Sequence, residues 1–81
     1  MKNFQIGQTV KNLGELAKVV GFHEEAGLLI LKPRRGGKWM ADPAKCEPTD
    51  MALTLENEIA AYREYKGLAV AAQGGALRHE D

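Results

Sequence analysis

Four cations fall within seven residues of this chain, at Lys32, Arg34, Arg35 and Lys38, and Trp39 follows directly. No acidic residue occurs between Glu25 and Asp42. Basic groups suit phosphate contacts and an adjacent aromatic suits base stacking, a combination used on single-stranded or structured RNA. Gly36 and Gly37 let the backbone approach a ligand closely. The same residues also fit a plainer role, a solvated hairpin tip whose charges keep strand ends soluble, with Trp39 turned into the core. Lys32, Arg34, Arg35, Lys38 and Trp39 are therefore the candidate nucleic-acid or partner-binding set. Phosphate contacts alone would carry no sequence information.

The other reactive side chains point to no catalytic or metal site. His23, Cys46 and His79 are the soft ligands of the sequence, and no spacing among them matches zinc. His23-Glu24-Glu25-Ala26-Gly27 begins like a zinc-protease motif but lacks its second histidine. Gly36-Gly37-Lys38-Trp39 is not a phosphate loop, because Trp39 stands where Ser or Thr is required. Cys46 has no histidine at a local position to activate it and suits a buried, inert thiol. The expectation is a binding protein with no catalytic residues, no metal and no cofactor.

The elements that must position the cations can be read from apolar alternation and turn residues. The stretch 28–43 is an apolar run, a basic Gly/Pro turn, a second run with the sole tryptophan, and an Asp-Pro breaker. It reads as the central hairpin of a small β-barrel with a cationic tip, its strands at 28–32 and 38–42 around a projecting loop. Trp39 and Ala41 fall on one side of the second strand and Met40 on the other. Upstream, Phe4, Ile6, Gly7 and Val10 lead into a strand at 8–12. Asn12-Leu13-Gly14 forms a turn, since Asn and Gly both tolerate positive φ. A strand at 15–23 follows, with Ala17, Val19 and Gly21 on one face and Leu16, Val20 and Phe22 on the other; Gly21 marks a bulge or bend. Leu28, Leu29, Ile30 and Leu31 cannot all face one side of a sheet. Either both faces of that strand are covered or one is open to a partner. Asp42-Pro43-Ala44-Lys45 suits one turn of 3₁₀ helix, and Cys46-Glu47 a brief last strand stopped by Pro48.

A helix is expected over residues 50–66, capped by Thr49 or Asp50 and stopped at Gly67. Met51, Leu55, Ile59 and Tyr62 recur at steps of four, four and three, which predicts a stripe packed on the barrel, at its open end or on its apolar outer face. The rival reading of that stripe is a face that meets another chain. Residues 68–72 either extend the helix or pack as a short segment, and 73–81 are expected to be a disordered tail.

Eighty-one residues make one domain, near the size where a single core only just suffices. The net charge is zero, but residues 1–49 hold eight Lys/Arg against five Asp/Glu and residues 50–81 hold three against six. A basic barrel with an acidic appendage follows. A single cysteine excludes an internal disulfide framework and fits a reducing compartment. Residues 1–7 lack the apolar core of a signal peptide, and no apolar run approaches the ~20 residues of a membrane span. A soluble cytoplasmic protein without membrane contact is the expectation.

Four stretches of this chain carry a resemblance to known folds: Ile6-Gly7-Gln8-Thr9-Val10, Lys18-Val19-Val20-Gly21-Phe22, Lys38-Trp39-Met40-Ala41-Asp42-Pro43 and Cys46-Glu47-Pro48. Their order resembles the SH3-like small barrels, including the KOW-type modules of bacterial transcription and translation proteins. The resemblance covers residues 4–48 and implies an all-β fold, a five-stranded SH3-like barrel, to which the C-terminal α-helix is appended. It implies roles in RNA binding or protein docking, and rarely catalysis. The type II dihydrofolate reductases are similar barrels that act as four copies and carry a Gln-Ile-Tyr stretch on a late strand. Residues 37–41 here contain no such motif, so no enzyme is expected. Two functional classes follow: a small accessory module whose 32–39 tip contacts nucleic acid or a nucleoprotein, and a module that docks on a protein or on its own copy as a homo-oligomer.

Overall fold

The computed structural model describes residues 4–77. Five strands, β1 (Thr9–Asn12), β2 (Glu15–His23), β3 (Leu28–Lys32), β4 (Trp39–Ala41) and β5 (Cys46–Pro48), form one antiparallel sheet in the order β4-β3-β2-β1-β5. A 3₁₀ turn, Pro43–Lys45, joins the two edge strands, and one long helix, α1 (Leu55–Leu77), ends the described chain. The molecule is thus mainly β with a C-terminal helix. Among the described residues no ladder pairs β4 with β5, so the hydrogen-bonded sheet is open rather than closed into the expected barrel. The Asp42–Lys45 connection still forces it to curl. Asp42 Oδ1 accepts from the Ala44 amide at 2.9 Å, its carbonyl accepts from Lys45 at 2.9 Å, and Pro43 supplies the fixed φ of the first turn position. A link that short keeps the two edges of a five-stranded sheet close together.

One face of the curled sheet carries the core. Val10, Ala17, Val19, Leu29, Leu31, Ala41 and Cys46 are buried together, with Phe4, Phe22 and Trp39 packed against them. Leu29 and Leu31 are fully buried, each contributing about 1.5–3 kcal/mol of burial free energy. The presence of Phe22 corrects the strict alternation expected for β2. Val19 pairs with Leu31 and Gly21 with Ile30, which leaves Val20 as an extra residue in a β-bulge. The extra residue shifts the phase by one, so Phe22 joins Ala17 and Val19 on the core side instead of opposing them.

The β1–β2 turn is a two-residue hairpin loop, with Asn12 paired to Glu15. Leu13 and Gly14 take φ of 51° and 88°, the double left-handed conformation of a type I′ turn. Asn12 ends β1, as the strand expected over 8–12 has it, and the positive φ falls on Leu13 and Gly14 rather than on Asn12.

Helix α1 departs most from expectation. It begins at Leu55, not at residue 50, because Thr54 is the cap: its Oγ1 accepts from the Asn57 amide at 3.1 Å. Thr49 makes a local turn bond of its own, from the Met51 amide at 3.2 Å, so Met51 lies before the helix. Gly67 does not end it. The Leu68-Ala69-Val70-Ala71-Ala72 run that follows has high helix propensity and outweighs the ~1 kcal/mol penalty of one glycine. The helix reaches Leu77 and takes in part of the expected tail; residues 78–81 lie outside the described residues.

The packed face is also different. Leu55, Ile59 and Tyr62 are 55%, 44% and 49% exposed, whereas Ala61 is 1% exposed. Ala61 is the buried residue of the helix, with the half-buried Glu58 one turn before it and Tyr65 one turn after it over Gly14, and α1 packs chiefly on β2. Leu16, buried on the opposite face of β2 from the core, lies beside Glu58 and Tyr62 of the helix. Close approach explains the choice of row. A Cβ added to Gly14 would lie 2.6 Å from Tyr65 Cβ, so the backbones meet where a glycine and an alanine leave room. No helix of the described residues is long and apolar enough to cross a membrane.

Candidate binding surfaces

The cations of the β3–β4 loop are separated into two kinds by the fold. Lys32 ends β3, and its ammonium donates to the carbonyls of Pro33 at 3.4 Å and Gly36 at 3.2 Å, closing its own loop. Arg34 reaches α1, where its Nε donates to Glu58 Oε2 at 3.2 Å. Arg35 and Lys38 are exposed and, among the described residues, have no carboxylate within 4.0 Å. Trp39 is drawn inward. Its ring packs against the core, and its Nε1 donates to Asn12 Oδ1 at 3.0 Å. The stacking platform of an RNA site is therefore not presented at the tip, whereas two of the four cations are.

The register adds a cation that the sequence alone did not place beside this loop. Lys18 lies directly across from Lys32 in the β2–β3 ladder, on the outer face. Like charges directly opposite are unfavourable in a sheet. The pairing becomes visible only when the bulge fixes the register.

Two grooves flank the helix. One, of about 360 Å³, is lined by Leu13, Lys45, Glu64, Tyr65 and Leu68 among others. The second, of about 260 Å³, runs between α1 and the β3–β4 loop past Leu16, Pro33, Arg35, Glu58 and Tyr62. Lys11 and Glu64 pair at 3.3 Å near the first; surface pairs of this kind contribute about 0–1 kcal/mol. Tyr62 stands half exposed on the rim of the second groove, and Ile59 and Leu55 are exposed on the preceding turns. This is the stripe that sequence periodicity found and assigned to the wrong side. Met40, half exposed opposite Ile30, answers the question of the doubly apolar β3: its outer face is only partly covered.

No three His, Cys, Asp or Glu side chains converge on a metal position among the described residues. His23 Nδ1 accepts from the Ala26 amide at 3.3 Å and closes the β2–β3 turn. Cys46 is buried at the start of β5, where its thiol donates to the Asp42 carbonyl at 3.4 Å. Burial pushes this thiol above its ordinary range, the Asp42 carboxylate adds to the rise, and a hydrogen bond with Asn12 opposes it. The folded thiol thus keeps its proton to higher pH than the unfolded one, and stability falls as pH climbs past the unfolded range. Thiol labelling under native conditions is expected to be slow and to become fast in denaturant; equal rates would contradict the burial.

Protein-family models, curated proteins and solved structures were compared with this chain, and none matches.

Proposed function

We propose that the protein is a small docking module in which an SH3-like curled sheet holds α1 for contact with a protein partner. Support for the sheet assignment is the strand order together with the 3₁₀ link between the edge strands. Docking rests on one observation: Leu55, Ile59 and Tyr62 project on one side of α1, each about half exposed, while the sheet is met by a different row. Large apolar side chains aligned on a helix face are what helix-in-groove and helix–helix recognition use. The test is Ile59→Asp. The substitution is expected to abolish partner binding and to shift stability by less than about 1 kcal/mol, since the side chain is only half buried. A variant that retains every partner of the unaltered protein removes the stripe from the function.

A second reading is favoured by a separate feature, the cluster of Lys18, Lys32, Arg35 and Lys38 around the β3–β4 loop. An anionic chain laid there would relieve the Lys18–Lys32 opposition. Arg35 and Lys38 are the cleanest probes because Arg34 is tied to the helix. Replacing both by Ala leaves the fold intact and lowers the slope of log affinity against log salt by about 0.7 per cation on single-stranded nucleic acid. An unchanged slope, or no binding by either protein, sets nucleic acid aside.

A further inference from the structure

We propose that the partner of the α1 stripe is a second copy of this chain, paired antiparallel; the inference rests on the docking reading above and names its occupant. Leu55, Ile59, Tyr62 and Lys66 follow one another at steps of four, three and four, the spacing of a coiled-coil seam. A two-fold contact must complement itself, because the same patch is used on both sides. About a midpoint between residues 60 and 61, the antiparallel arrangement sets Ile59 against Tyr62 of the second copy, and Leu55 against Lys66, each twice. Lys66 suits the end of such a seam. Its ammonium lies 6.0 Å from its own Tyr62 ring centre, so its stem can cover apolar surface while the charge remains in water.

The flanking charges select this arrangement. Glu56 and Arg63 sit on the solvent side of the seam, symmetric about a point within one residue of the same midpoint. Antiparallel pairing therefore brings Glu56 of each copy beside Arg63 of the other. On the sheet side the seam is flanked by Glu58 and Tyr65. A parallel pair would need Glu58 to meet Arg63 across the contact, but Glu58 is held by Arg34 at 3.2 Å and faces the sheet. In the antiparallel pair that internal bond is kept. The helix, 23 residues and about 34 Å long, extends well past the stripe and leaves room for a seam of more than two turns.

The experiment is sedimentation of the full chain from about 1 µM to about 1 mM, a range that reads dimer affinities from tight to weak. The unaltered protein is expected to pass from monomer to dimer with concentration. Ile59→Asp is expected to sediment as a folded monomer throughout, its circular dichroism melt confirming the fold. Glu56→Arg alone and Arg63→Glu alone are each expected to raise the dimer dissociation constant about tenfold, as two ion pairs per dimer become two repulsions. The double exchange Glu56→Arg with Arg63→Glu is expected to restore it. A protein monomeric at every concentration overturns the proposal, as does a dimer indifferent to Ile59→Asp or to the single charge changes. The docking reading is separable: in the first case it survives only if cross-linking shows a heterologous partner that Ile59→Asp loses.

Discussion

Gly14→Ala is expected to destabilise the protein by about 2–5 kcal/mol and to loosen α1 from the sheet. Two costs coincide at this residue. Its φ of 88° lies in the left-handed region, where a side chain costs about 1–2 kcal/mol. The new Cβ would also stand 2.6 Å from Tyr65 Cβ, with two ring carbons at 2.7 Å, and overpacking of this kind adds about 1–3 kcal/mol. Trimming Tyr65 to Ala would not relieve it, because the nearest atom is the Cβ that alanine retains. Gly27 provides the control: its φ is 70°, with nothing within 4 Å of an added Cβ. Gly27→Ala should show the backbone cost alone. Urea unfolding of both variants makes the comparison, and equal losses would mean that α1 does not rest on the hairpin turn.

The same contact shows why the helix was legible and its orientation was not. Periodicity locates apolar stripes, and Leu55, Ile59 and Tyr62 form a clear one. What places α1 on β2, however, is room for close approach, supplied by Gly14 and Ala61, two residues with little hydrophobic signal. The sheet side of the helix was chosen by size. Its start was ambiguous for a similar reason, since Thr49 and Thr54 both accept local amides and only the second opens a helix. In the sheet, Gly21 announced the bulge, but the bulge's effect on Phe22 depends on which residue is left unpaired. That is a property of the β2–β3 register. Trp39 and Ala41 were correctly grouped by alternation opposite Met40, and Met40 is indeed the exposed member. The cation cluster was legible as a cluster. Its division into bound and free members was not, because Arg34 finds Glu58 twenty-four residues away.

Asn12 stands at the boundary of strand and turn, and the partners of its side chain lead to the second large effect. It is buried on β1, where its Oδ1 accepts from Trp39 Nε1 at 3.0 Å and its Nδ2 donates to the Lys45 carbonyl at 3.1 Å. Those partners belong to β4 and to the 3₁₀ turn, on either side of the gap that no ladder closes. One amide therefore joins what the backbone leaves open. Asn12→Leu keeps the volume but strands an indole N–H and a carbonyl in a partly buried setting. Each unsatisfied group costs about 1–3 kcal/mol, so a loss of about 2–6 kcal/mol is expected. Asn12→Asp separates the two bonds. The ionised carboxylate can still accept from Trp39 but faces the Lys45 carbonyl with no proton to donate. Burial raises the carboxyl pKa, the protonated form recovers the donor, and so this variant should gain stability relative to the unaltered protein as pH falls through that raised value. Melts of the three proteins between neutral and mildly acidic pH, read by Trp39 fluorescence, test the assignment. If Asn12→Leu loses less than about 1 kcal/mol and the Asn12→Asp difference is flat with pH, the bridge is not what holds the edges of this sheet together.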